Sequence, residues 1–139
     1  MARLIVLLTF IACSAPPSPV TPAPIADDLV TIESGSDHAA TIAKLVAAVE
    51  GRGFVVVHRI DHAAAAQTAG LELAPSTVIV FGNPKGGTPL MQATPTLGLD
   101  LPLRVLVWQA NGGAKLTYRE HQIAKLSAVL AEVVAEAAK

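Results

Sequence analysis

Aromatic residues make up only 4% of this chain and charged residues 15%, and the formal net charge is -1. Binding to a nucleic-acid backbone draws on clustered Lys and Arg, and single-stranded binders add aromatic stacking platforms. With neither resource at hand, nucleic acid is not an expected partner. A lone cysteine, Cys13, rules out an intramolecular disulfide. The longest apolar run, Leu4 to Ala12, falls far below the roughly 20 residues that span a bilayer, so it predicts no membrane helix. No G-x-S-x-G elbow and no readable carboxylate pair occur, and no cofactor or resident metal is expected. What is abundant is apolar side chain, 52% of 139 residues. That suffices for one ordinary core and not for two comfortable domains.

Arg3, the apolar run and the small residues after it read as an export signal over residues 1–12. Phe10-Ile11-Ala12-Cys13 resembles a bacterial lipobox, in which the cysteine is acylated and becomes the first mature residue; Phe10 stands where that motif usually has leucine. The alternative is ordinary cleavage after Ser14. Residues 13–27 form a Pro-rich linker, "SAPPSPVTPAP", whose composition favours extended polyproline II geometry. The expected location is therefore the bacterial cell envelope, on the periplasmic side, with membrane contact only through a lipid anchor at Cys13.

Residues 28–139 read as a single α+β domain. Alternation predicts strands at Leu29–Ser34, Phe54–Ile60, Thr77–Phe81, Leu103–Gln109 and Lys115–Tyr118. Ile42, Leu45, Val46 and Val49 mark a helix capped by Ser36 or Asp37. Asp61 caps a short helix from His62, and a long amphipathic helix is expected from about Glu120. "NGG" at Asn111–Gly113 signals a hairpin. Trp108 and Tyr118 then read as a cross-strand packing pair, and His38 and His121 as residues in first turns of helices.

"FGNPKGGTPLMQ", Phe81 to Gln92, carries the one motif with chemistry in view. Gly82 and Gly87 have the spacing of a phosphate loop and Thr88 follows, but no lysine lies between Gly87 and Thr88, and Pro84 removes a donor. Nucleotide hydrolysis is not expected. Two readings stay open. Thr88 and Pro89 start a helix whose free N–H groups, with Lys85, receive a small anion; or Gly86 and Gly87 adopt positive φ in a turn that Thr88 merely caps.

His58 and His62, with Met91, suggest a copper or zinc site, yet four residues along a strand separate the imidazoles by roughly 13 Å. An enzyme with His62 as general base and Lys85 as electrostatic stabiliser is a further alternative, and it requires the two side chains to converge.

"RIDHAAAAQTAGLEL" (Arg59 to Leu73), "TVIVFGNPKGGTPLMQATPTLGLDLPLRVLVW" (Thr77 to Trp108) and "LTY" (Leu116 to Tyr118) resemble the bacterial and archaeal family called domain of unknown function 302. The resemblance implies helices packed on one face of a curved antiparallel sheet of about five strands, similar to the TATA-binding-protein fold, and a homodimer. It brings no assigned activity. The expectation that results is a non-enzymatic domain binding a small ligand, an anion on the Lys85-loop reading, or a protein partner, with His62, Asn83, Lys85 and Thr88 as ligand contacts.

Overall fold

The computed structural model of the protein describes residues 28–139. The export signal, Cys13 and the Pro-rich linker lie outside the described residues. Along the chain come β1 (Leu29–Glu33), α1 (His38–Gly51), β2 (Val55–Asp61), α2 (His62–Thr68), β3 (Ser76–Gly82), α3 (Pro84–Ala93), a 3₁₀ helix (Pro95–Leu99), β4 (Leu103–Ala110), β5 (Gly113–Arg119) and α4 (Ala124–Ala137).

The five strands form one antiparallel sheet in the order β1-β5-β4-β3-β2. Its register explains the alternation in the sequence. Ile79 lies across from Val105, and Val107 across from Leu116, which in turn faces Ile32. These residues share one side of the sheet, where α1 brings Leu45 and Val49 and α4 brings Leu130, Val133 and Val134; all of them except the partly buried Ile32 are buried. Burying each such side chain stabilises the fold by about 1.5–3 kcal/mol, which is why these two amphipathic helices close over that side. Phe54 meets Phe81 edge to face at 5.8 Å, sealing the core beside β2.

On the other side, Val78, Leu106, Thr117 and Thr31 form a row that is only partly covered. Here Trp108 differs from its expected role. It sits opposite Lys115, whose ammonium lies 5.9 Å from the ring centre, and its Nε1 donates to Thr117 Oγ1 at 2.9 Å. Tyr118 points to the opposite, helix-covered side and is 6% exposed. The two aromatics are one residue out of phase on the pleat, so they cannot pack together.

Local chemistry sets the element ends. Asp37 caps α1 by accepting from Ala40 N at 2.8 Å, and Thr41 is buried with its hydroxyl donating to the Asp37 carbonyl at 2.7 Å. Gly53, at φ 74°, supplies the left-handed residue that releases the chain from α1 into β2. Gly112, at φ 98°, does the same in the β4–β5 turn. Asp61 caps α2 through Ala64 N, as its position before His62 predicts.

Two boundaries differ from expectation. α3 begins at Pro84 with Asn83 as its cap, not at Pro89, and Gly86 and Gly87 are helical without positive φ. Pro84, missing its N–H, is suited to the first helical position, and this start wins over the later Thr88-Pro89 signal. At the C-terminal end, α4 begins at Ala124, so His121 lies in the preceding bend and not in a first helical turn.

Candidate functional site

The motif at Phe81–Gln92 spends its polar groups on its own fold. Asn83 Oδ1 accepts from Lys85 N at 3.0 Å, and Asn83 Nδ2 donates to the Gly53 carbonyl at 3.2 Å. The N–H groups of Gly86 and Gly87 both go to the Asn83 carbonyl, at 3.0 and 2.8 Å. Pro84 has none to give. The first turn of α3 therefore holds no free donor for an anion, which removes the physical basis of the phosphate-like reading. Thr88 is exposed within α3 and caps nothing, and Lys85 is exposed to solvent.

Nor does His62 join that group. In the β2–β3 ladder Val55 faces Gly82 at one end and Asp61 faces Thr77 at the other. Six strand residues at about 3.3 Å each put His62 roughly 20 Å from the start of α3. Within one chain, an active centre using both His62 and Lys85 cannot assemble. The metal alternative meets the same obstacle: His58 is exposed on edge strand β2, whereas Met91 lies in α3 with its sulfur beside Gly98. Among the described residues no group of three His, Cys, Asp or Glu is placed to hold a metal ion.

A different constellation lies where the start of β4 and the end of β5 meet the start of β1. A hollow of about 640 Å³ opens there between the 3₁₀ helix and the bend at residues 120–123. Val78, Leu29 and Leu106 contribute apolar floor from the open side of the sheet, and Leu97 and Leu99 contribute a wall from the 3₁₀ helix. Around them stand Asp28, Asp100, Arg104, Arg119, Glu120 and His121. Arg104 bends back to donate to the Leu99 carbonyl at 2.8 Å, tying the wall to the floor. Arg119 pairs with Asp28 through Oδ2.

His121 is held firmly. Ser127 Oγ accepts from its backbone N–H at 2.7 Å and donates to its carbonyl at 2.8 Å, and the side chain is 12% exposed. Ile123 N donates to His121 Nδ1 at 3.3 Å. In a neutral ring that fixes the proton on Nε2, making Nε2 a donor. Its nearest carboxylate oxygen, Asp100 Oδ2, is 3.9 Å away, beyond hydrogen-bond reach. Among the described residues, His121 Nε2 and Asp28 Oδ1 are the buried side-chain polar atoms left without a partner, and both residues line this hollow. Tyr118, also in the lining, has its phenol pKa raised above the usual value, first by burial and then by the negative charge of Glu120.

A second hollow, about 730 Å³, is lined by α2 and the chain at residues 71–75, with His38 and Asp61 at its margin. Two of its polar side chains are engaged, His38 through Nε2 with the Val107 carbonyl at 3.2 Å and Asp61 as the cap of α2, and Gln67 and Glu72 complete its polar lining. Asn83, Lys85 and Thr88 line neither hollow, and His62 is absent from both.

Sequence reasoning missed the Asp28–His121 constellation. Its only sequence trace is the pair of arginines, Arg104 near the start of β4 and Arg119 at the end of β5.

Comparison with known proteins places this architecture. The family model described as "Domain of unknown function DUF302" matches residues 30–139. The crystal structure of an uncharacterized conserved DUF302 protein from Bacillus stearothermophilus superposes with a TM-score of 0.76 at 19% identity, covering 82% of this chain and 100% of that one. Among curated proteins, the fluoride-specific ion channel FluC 1 of Brucella suis is 48% identical over 85 residues, 61% of this chain and 34% of the channel protein. FluC 2 of Brucella melitensis matches at the same identity over 32% of its length. The chain thus spans about a third of the length of the curated relatives it matches.

Proposed function

The chain belongs to the DUF302 family, and from that premise we propose that it is a non-enzymatic binding domain whose ligand seat is the hollow bounded by Asp28, Arg104 and His121. One observation carries the reading: the two unpaired buried polar atoms of the described residues belong to side chains lining the same hollow, over an apolar floor. Buried polar groups in native proteins are almost always satisfied, and a bound partner is one way to satisfy them. The volume lies in the range of small-molecule sites, about 300–1,000 Å³. An NMR fragment screen on the isotopically labelled chain tests it. Shifts concentrated at Arg104, Leu106, Arg119 and His121 are expected; fragments that never perturb those residues would remove the site.

The likeness to the Brucella channels favours a second element of the reading, a membrane setting beside a transport protein. No helix of the described residues is long and apolar enough to cross a membrane. The shared third therefore reads as a domain appended to such a channel, here proposed to act on a lipid tether at Cys13. Fluoride itself does not suit the hollow, which has the volume of about twenty waters. Fractionation of cells producing the Cys13→Ala chain tests the tether: loss of membrane association supports it, and unchanged partitioning refutes it.

A further inference from the structure

The polar inventory of the hollow narrows the chemistry of its occupant, on the reading that the hollow is a binding seat. We propose that it takes a small zwitterion with an apolar side group. In that arrangement an ammonium donates to Asp28 Oδ1, a carboxylate accepts from His121 Nε2–H, and the apolar group rests on Val78, Leu97 and Leu106.

Three observations converge on that class. First, among its buried side-chain atoms the lining offers one unpaired acceptor and one unpaired donor, Asp28 Oδ1 and His121 Nε2. A simple anion satisfies the histidine and leaves the carboxylate oxygen unpaired beside a like charge; a simple cation does the reverse. Second, the fixed charges nearly balance, with Asp28, Asp100 and Glu120 against Arg104 and Arg119. A ligand with a large net charge of either sign finds no matching field there. Third, apart from Thr117, Tyr118 and Gln122 the remaining lining is aliphatic, so a purely polar zwitterion would forgo the contact that apolar burial rewards.

Both orphan atoms are shielded in the structure, but the Asp100 and Arg119 side chains beside them are 58% and 59% exposed. Asp100 can turn aside without disturbing the core, and Asp28, itself 42% exposed, can swing with Arg119 still paired to its Oδ2, which leaves Oδ1 as the free acceptor.

Titration of the full labelled chain with L-leucine, 4-methylpentanoate and 3-methylbutylamine separates the alternatives, since the last two each keep the side group and one charge. Leucine is expected to move the resonances of Leu106, Arg119 and His121, with both analogues binding at least tenfold more weakly. His121→Asn retains an acceptor for Ile123 N and removes the donor from the Nε2 position, which its shorter amide does not reach, and it is expected to weaken leucine at least tenfold; His121→Gln places an amide donor near the Nε2 position and is expected to restore part of the affinity. Asp28→Asn provides a second deletion, from the ammonium side, should His121→Asn unfold. Analogues that match leucine, or full leucine binding by the folded His121→Asn and Asp28→Asn chains, would overturn the zwitterion. A hollow silent to leucine but filled by other fragments refutes the ligand class and leaves the binding seat standing; silence to every probe removes both.

Discussion

The start of α3 and the hollow at His121 are both polar, both near the same end of the sheet, and opposite in what they do with their hydrogen bonds. At α3, Asn83 is used twice, the N–H groups of Lys85, Gly86 and Gly87 are all engaged, and nothing is left over. At the hollow, a clamped histidine and a paired aspartate each keep one atom in reserve. The lesson is that a dense cluster of functional-looking letters marks a turn when its members satisfy one another. A site is marked instead by polar atoms that the fold buries and fails to pair.

That contrast can be broken by experiment. The largest effect is expected from His121→Asn, which should weaken binding in the hollow at least tenfold, about 1.4 kcal/mol, in calorimetric titration. Asn83→Ala comes next and acts on stability alone. Loss of the α3 cap should cost about 1 kcal/mol in chemical denaturation while ligand affinity stays unchanged. If Asn83→Ala abolished binding and His121→Asn did not, the assignment of roles would be reversed.

Tyr118 sharpens the comparison from the side of pH. Its folded pKa is raised, chiefly by burial, above the ordinary value of 10.0. A raised pKa means the folded state holds the proton more tightly. The associated stability is therefore fully present below about pH 10 and is lost as pH rises through the folded value. Denaturation midpoints should fall in that alkaline window, and Tyr118→Phe should flatten the decline. The smallest effects are expected at Lys85→Ala and Thr88→Ala: stability within about 0.5 kcal/mol of the parent and no change in binding. Thr88→Ala should lie on the stabilising side of that range, because alanine is the better residue inside a helix.

Much of the fold was legible from the letters. Period-two alternation in β4 and β5, the Asn111-Gly112 turn and the helical spacing of Leu45 and Val49 each describe a local geometry directly, and Asp37 and Asp61 cap helices where their positions suggest. The α3 start was misread because two capping signals five residues apart compete, and propensity alone does not rank them. The Trp108–Tyr118 pairing failed for lack of register: a shift of one residue moves a side chain to the other side of a sheet. The hollow was invisible for a different reason. Asp28 and His121 are far apart in sequence and come to line one hollow only because β1 pairs with β5, where Glu120 N donates to the Asp28 carbonyl at 2.7 Å. Whether an atom is left unpaired is a property of the assembled molecule, and no short motif encodes it.

Trp108 is the chain's single tryptophan, and it stands on the same side of β4 as Leu106, two residues along. The protein thus carries its own optical gauge: filling the adjoining space or displacing Lys115 from above the indole should change the emission, with no dye attached and no other tryptophan to dilute the signal.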